Sequence, residues 1–204
     1  MKKITILTVL FLIFGSFSAK AQDFVSDQFL VHLGVSGYFP RTDYVSNMAG
    51  FNCGFEYISK KDNVYMFDMS ISGGRAKKDF HTGEGWIFRR DYVDVPQLFI
   101  NYGHVVKHIN KFQMFPFVGM GISGFELGHD SDDDDYPSKD GFSIGAGLGL
   151  DWDFCRGRRS WSEDWNHGLL IKPFMSVTFM NTPVKIVPSF NIAVCYCFGS
   201  KWDD

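Results

Sequence analysis

Charged residues are scarce in this chain, and their scarcity excludes two broad classes of protein. They make up 21% of the 204 residues, whereas 45% are hydrophobic and 17% are aromatic. Disordered chains have few aromatic residues and a high net charge, and nucleic-acid binders carry a basic patch. A formal net charge of −3 fits neither class. The composition favours a β-rich or membrane protein with one domain.

Long hydrophobic runs are also absent, apart from one at the N-terminus. Lys2 and Lys3 precede an apolar run over residues 4–17, which is followed by Ala19-Lys20-Ala21. This pattern is typical of a secretory signal peptide. We therefore expect residues 1–21 to be a cleaved signal and residues 22–204 to form the mature domain. No later apolar run is long enough for a membrane-spanning helix, so insertion into a membrane would require strands.

Cysteine is rare as well. The four cysteines are not spaced like the ligands of a zinc site, and Cys195 and Cys197 share one face of a strand, a poor geometry for a bond between them. Two alternatives remain open: a disulfide bond between Cys155 and Cys197, or four free thiols. We expect no metal and no cofactor.

What the chain has instead is alternation with a period of two. In residues 142–154 apolar side chains alternate with Gly, Ser and Asp, and residues 184–198 repeat the pattern. Noisier alternation marks residues 29–39, 51–57, 64–72, 92–102, 112–124 and 169–179. Eight such segments, separated by Gly, Pro, Asp and Lys clusters, can close into an antiparallel barrel. Pro96, Pro116, Pro173 and Pro188 fall inside the segments, where we expect bulges or distortions.

Volume decides which face of these strands points inward. The apolar face carries many Phe, Tyr, Trp, Met, Ile and Leu residues, which exceed the narrow interior of an eight-stranded barrel. We expect the other face to consist mostly of Gly and Ser with a few charged residues, which would fit a narrow interior. The sequence thus predicts an all-β protein, an eight-stranded antiparallel up-and-down transmembrane β-barrel, with aromatic residues grouped at two heights. A soluble lipocalin-type barrel would need the opposite assignment.

Four features resemble a known family. They are the signal ending in Ala21-Gln22, the runs Tyr92-Val93-Asp94-Val95-Pro96-Gln97-Leu98 and Phe115-Pro116-Phe117-Val118-Gly119-Met120-Gly121-Ile122, and the glycine-alternating residues 141–150. Together they resemble the small outer-membrane β-barrels of Bacteroidota, which are related in form to OmpA, OmpX and PorT-like proteins. The resemblance implies an outer membrane of a Gram-negative bacterium, with outer-membrane lipid and the barrel assembly machinery as partners.

Interior charges form the first group of candidate site residues. By parity we place six inside the barrel, where ion pairing makes buried charge tolerable. The six are Glu56, Asp68, Asp151, Asp153, Lys172 and Lys185. Asp151 and Asp153 are expected near the height of Lys172, which predicts an ion pair and no wide water channel.

Outer loops form the second group of candidates. With a periplasmic start, the connections at 40–50, 73–91 and 126–140 face out of the cell. The binding candidates there are Arg75, Lys77, Lys78, Trp86, Arg89, Arg90, Asp130, Asp132 and Asp134. The acidic run lacks the glycine of a calcium loop, since Asp135 occupies the sixth position, so a solvated loop is expected. Residues 155–167 form an unexplained long inner connection.

These features predict a structural or adhesive role through the outer loops, without a large pore. The second hypothesis is a PorT-like component of a secretion apparatus, and the third is a lipid-modifying enzyme. The six histidines are scattered, and no serine, histidine and carboxylate stand in an order that suggests a catalytic group. We therefore expect no enzyme, no nucleic-acid partner, and an extracellular or envelope protein partner of unknown identity.

Overall fold

The alternating segments form long strands. The computed structural model describes residues 27–82, 85–109, 112–127, 138–153, 165–180 and 185–202. The strands are β1 (Asp27–Pro40), β2 (Met48–Ile58), β3 (Asn63–Arg75), β4 (Phe80–His81), β5 (Trp86–Ile87), β6 (Tyr92–His104), β7 (Lys107–Ile109), β8 (Phe112–Leu127), β9 (Ser138–Asp153), β10 (Trp165–Met180) and β11 (Ile186–Trp202). Within these ranges, no helix has the length and apolar character that crossing a membrane requires.

Eight of the strands close into an antiparallel barrel. The strands β1, β2, β3, β6, β8, β9, β10 and β11 pair in chain order, and β1 pairs with β11 over its whole length. The pairing of β6 with β8 completes the ring. Each of the eight predicted segments overlaps one of these strands, so the predicted fold class is confirmed.

The connections divide between the two ends of the barrel. At the loop end, β1 connects to β2, β3 to β6, β8 to β9 and β10 to β11. The short hairpin of β4 and β5 lies within the β3–β6 connection. At the turn end lie both termini of the described chain and the connections after β2, β6 and β9. Residues 1–26, which include the predicted signal, lie outside the described residues.

The outward face of the barrel is apolar. Phe51 is 72% exposed, Met175 is 70% exposed and Ile100 is 63% exposed. In a protein surrounded by water such a continuous apolar surface is rare. The outward assignment of the large apolar side chains therefore agrees with the structure.

Aromatic side chains form two outward rows. Near the turn end, strand register aligns Phe29, Tyr57, Tyr65 and Tyr102, with ring centroids 6.1 Å apart for Tyr57 and Tyr65 and 5.4 Å for Tyr65 and Tyr102. Near the loop end, Phe39 packs against Phe190 at 6.0 Å, and Phe142 lies opposite Phe179. Girdles of aromatic residues flank the apolar band of membrane barrels at both boundaries, so the two rows delimit such a band here.

The interior contains more large apolar side chains than the sequence predicted. One buried cluster, the loop-end plug, contains Tyr38, Val45, Met48, Ala76, Phe80, Ile87, Val93, Val95, Phe125, Met180 and Val187. A second, the turn-end plug, contains Ile58, Val64, Met66, Val105, Phe115, Phe117, Leu170, Ala193, Cys195 and Cys197. The expectation of an inner face made mostly of Gly and Ser was therefore wrong. The narrow barrel accommodates large inward side chains on some strands because others carry none.

The glycines of β9 supply the space for these side chains. A Cβ atom at Gly149 would overlap the Phe115 ring, and one at Gly147 would overlap Phe174 and the Phe117 ring. Phe115 and Phe117 come from β8 and Phe174 from β10, the two neighbours of β9. The glycines of β9 thus leave room for the large inward side chains of β8 and β10, the strands on either side of it.

Two of the four strand prolines interrupt their ladders without forming bulges. The β6–β8 pairing skips Val95 and Pro96 and resumes at Gln97 in the same register. The β9–β10 pairing skips Lys172 and Pro173 and also resumes unshifted. A bulge would add one residue and shift the register, so the expected bulges are absent at these two ladders. The missing proline N–H groups account for the gaps.

We expect Gly149→Val to destabilise the barrel by about 1–3 kcal/mol, because its side chain must displace the Phe115 ring. Urea unfolding of the refolded protein in detergent micelles, followed by the gel mobility of folded and unfolded forms, measures the change. Ala146→Val, which faces outward on the same strand, is the control. Equal stabilities of the two variants would contradict the packing of Phe115 against Gly149.

Candidate functional site

A buried polar layer separates the two apolar plugs, and Asp68 of β3 lies at its centre. One carboxylate oxygen, Oδ1, accepts hydrogen bonds from Lys172 Nζ and from His32 Nε2, the latter at 2.8 Å. The other oxygen, Oδ2, accepts a bond of 2.6 Å from Asn101 Nδ2. Lys172 Nζ also lies 3.4 Å from His32 Nε2. The Asp68 carboxylate is therefore held by three strands besides its own.

The ion pair between Asp68 and Lys172 spans the barrel. Lys172 lies on β10, which is four strands from β3 in either direction around the ring. Its side chain is 2% exposed, so the charge is removed from water and depends on Asp68 for compensation. Strand register places Asp151 opposite Leu170 and not opposite Lys172. The long lysine side chain therefore reaches across the interior to Asp68.

Two more of the predicted interior acids are buried in this region. Glu56 is 1% exposed and Asp151 is 4% exposed, beside the turn-end plug. They interact electrostatically with each other, and Glu56 also does so with Lys172 and Asp68. The backbone of Asp153 lies in β9, but its side chain lies outside the described part of the structure.

The placement of Lys185 inside the barrel was wrong. Its parity matches the inward residues of β11, but that strand begins only at Ile186, and Lys185 is exposed at the loop end. Its carbonyl oxygen accepts a hydrogen bond from the Met180 amide at 2.9 Å. Alternation places a side chain inside only while the residue lies within the paired strand.

Acidic side chains outnumber basic ones in the interior. Among the described residues, Lys172 is the one buried lysine or arginine, whereas Glu56, Asp68 and Asp151 are buried acids within barrel strands. A cavity lined by Asn52, Asp68, Asn101 and Lys172 has a volume of about 20 Å³, which is space for about one water molecule. The polar layer is thus compact and closed.

Sequence reasoning missed the other polar members of this layer. His32, Asn52 and Asn101 are all buried, and Asn52 Oδ1 accepts a hydrogen bond from Cys195 Sγ at 3.2 Å. Their inward parity was available from the sequence, because His32 alternates with Leu33 and Asn101 with Ile100. What parity did not supply was the partner of each residue, since the partners come from distant strands.

The β3–β6 connection forms an ordered cover over the loop end. Val45 forms an isolated bridge with Ala76, and the Lys77 amide donates to the Tyr44 carbonyl at 2.6 Å. Phe80 and Ile87, from the hairpin of β4 and β5, are buried in the loop-end plug. The connection is therefore held by backbone hydrogen bonds and by apolar burial.

The predicted basic residues line the outside of this cover. Arg75, Lys77, Lys78, Arg89 and Arg90 are exposed, as is Trp86. Lys78 pairs with Asp43 at 3.2 Å, and the Arg89 amide donates to Asp79 Oδ1 at 2.6 Å. Arg90 has a positive φ of 79°. We call these five basic residues with Trp86 the basic cover. Asp130, Asp132 and Asp134 lie outside the described residues.

The two regions differ in what they can do. The polar layer is sealed between apolar plugs, so its chemistry is that of a stabilising network. The basic cover is open and combines cations with an exposed indole ring, so it can contact an anionic surface.

Comparison with known proteins gives the fold class. No family model matches the chain, and no curated protein matches it. Neisserial surface protein A, as solved by crystallography, has a TM-score of 0.56 at 8% sequence identity, over 83% of this chain and 95% of that one. The chain therefore shares the fold of a small eight-stranded outer-membrane barrel.

Two further solved structures align with lower scores. One is the attachment invasion locus protein Ail of Yersinia pestis in complex with the heparin analogue sucrose octasulfate, with a TM-score of 0.48 and 12% identity over 88% of this chain and all of that one. The other is OprG of Pseudomonas aeruginosa, with a TM-score of 0.46 and 13% identity over 88% of this chain and 97% of that one.

We expect Lys172→Met to destabilise the barrel by about 3–5 kcal/mol, because it leaves the Asp68 carboxylate buried without its cation. The double variant Lys172→Met/Asp68→Asn should recover much of that loss, and chemical unfolding of all three forms measures the coupling between the residues. Lys185→Met, at an exposed position, should change stability by less than about 0.5 kcal/mol. An additive double variant would contradict a direct Asp68–Lys172 interaction.

Proposed function

We propose that this chain is an integral outer-membrane β-barrel with a closed interior, whose outer loops bind an anionic surface or partner. The observation that carries the membrane assignment is the outward apolar band bounded by two aromatic rows. Because the ring closes, its backbone groups are paired between strands, as a bilayer requires. No catalytic activity forms part of the proposal.

The orientation follows from the lengths of the connections. Small outer-membrane barrels have short periplasmic turns and longer outer loops. The β2–β3 turn consists of residues 59–62, whereas the β3–β6 connection extends over residues 76–91 and carries its own hairpin. The proposal therefore places the loop end, and the basic cover with it, outside the cell.

A surface-binding role rests on the basic cover. Its five cations exceed the four acids on the same segments, Asp43, Asp79, Glu84 and Asp91. Apolar burial of Phe80 and Ile87 holds the segment in place, so binding would not have to order a flexible loop. Phe88, 57% exposed, adds a second aromatic surface beside Trp86. Cations beside aromatic rings suit sulfate, phosphate or carboxylate groups on an extended partner.

The closed interior predicts that the protein forms no large pore. Purified protein in planar bilayers should give no large, stable single-channel conductance, because the apolar plugs occupy both ends of the barrel. A general porin treated in the same way is the positive control. Long-lived openings of porin size would overturn the closed-interior proposal.

The basic cover predicts binding of a polyanion. Protein in detergent should bind immobilised dextran sulfate but not uncharged dextran, and salt should weaken the binding. Lys77→Gln/Arg89→Gln should reduce affinity roughly thirtyfold, at about 1 kcal/mol for each cation removed. The control, Lys60→Gln/Lys61→Gln, removes the same charge at the turn end. Equal losses in both double variants would show binding to be non-specific and would reject the cover as the site.

A further inference from the structure

The outer wall of the barrel carries an apolar trench near the turn end. It has a volume of about 640 Å³, within the range of small-molecule sites. It is lined by Phe29, Phe55, Tyr57, Tyr65, Met66, Phe67, Ile100, Asn101, Tyr102, Val118, Gly119 and Met120. It lies on the outward face, away from the basic cover, and shares with the polar layer only Asn101, whose side chain bonds Asp68 inside the barrel.

Strand register explains the shape of the trench. Met66, Asn101 and Gly119 are paired across β3, β6 and β8, and all three have inward parity, so only their backbone faces outward. One wall is the row Phe67, Ile100 and Met120, and the other is the row Tyr65, Tyr102 and Val118. The trench is thus a floor of backbone between two ridges of outward side chains.

The two walls differ in polarity. The wall nearer the loop end is wholly apolar, and its Phe67 ring stacks on Phe55 at 5.1 Å, which in turn stacks on Phe29 at 6.0 Å. The wall nearer the turn end carries the hydroxyl groups of Tyr57, Tyr65 and Tyr102. The Tyr102 hydroxyl donates to Asn63 Oδ1 at 3.0 Å. This polarity matches an amphiphile whose head lies toward the turn end.

Positive charge lies next to the polar wall. Lys60 and Lys61 are exposed in the turn that follows Tyr57, and Lys60 interacts electrostatically with the Tyr57 phenol. Asp27 also faces this rim, where it accepts a hydrogen bond from the Lys60 amide at 2.8 Å, while Asp62 is buried in the turn. The exposed charge of the turn itself is therefore positive.

We propose that the trench binds one acyl chain of an anionic phospholipid from the membrane leaflet at the turn end, with the phosphate beside Lys60 and Lys61. This inference rests on the proposed membrane insertion. Inside a bilayer, water cannot fill an apolar trench without loss of hydrogen bonds, so a lipid tail is the available occupant. The lysines select the headgroup, because each adds attraction for an anion near a membrane surface.

Native mass spectrometry tests the proposal. Protein reconstituted into vesicles with equal amounts of phosphatidylglycerol and phosphatidylcholine is extracted into a mild detergent, and the retained lipid is identified. The wild type should retain one phosphatidylglycerol, with roughly tenfold preference over phosphatidylcholine. Lys60→Gln/Lys61→Gln should bring the two lipids to near parity. The matched control Arg41→Gln/Lys185→Gln, which removes two exposed loop-end cations outside the basic cover, should keep the preference.

A second pair of variants tests the trench itself. Ile100→Trp adds bulk to one wall and should reduce retention of both lipids several-fold, whereas Ile144→Trp, outward on β9, should leave retention unchanged. Gel mobility confirms that each variant folds. Equal retention of both lipids by the wild type, or a dimer in place of a lipid-bound monomer, would overturn the proposal. Failure of the wild type to insert into vesicles would instead reject the proposed function, so the two failures are distinguishable.

Discussion

Pairing of backbone hydrogen bonds around a closed ring is the constraint from which the rest of this structure follows. β6 meets β8, β1 meets β11, and no barrel strand is left with a free edge. In hydrocarbon each unpaired N–H or C=O group costs several kcal/mol. The register is retained across Pro96 and Pro173, so each proline interrupts the ladder locally without shifting later side chains to the wrong face.

Closing the ring with eight strands also limits the interior volume, and the side chains divide that volume unequally. β9 contributes Gly145, Gly147 and Gly149 to the inside, and the adjacent strands contribute phenylalanines. The remaining space holds polar groups that must compensate one another, because water has little access. This explains why Lys172 reaches across to Asp68 and why the histidine and asparagine of the layer converge on the same carboxylate.

Much of this architecture could be predicted from alternation and volume. Apolar residues at every second position, together with their bulk, indicated the number of strands, their outward faces and the two aromatic rows. The identity of interior partners was not predictable, because Asp68 and Lys172 are 104 residues apart and meet only after closure. Lys185 shows a second limit, since parity does not reveal where a strand begins. The trench required the register of several strands at once, since its floor and walls come from residues that are distant in sequence.

The seam between β1 and β11 has a consequence for how the molecule is made. Its partners Asp27 and Trp202 are the first and last residues of the described chain, so the ring can close only after the last strand has emerged from the ribosome. Such distant contacts make folding slow. Until the seam forms, the unpaired edges of β1 and β11 and the apolar outer surface are exposed together. This combination promotes aggregation. The pairing of the last strand therefore ends the period in which the chain is most prone to aggregate.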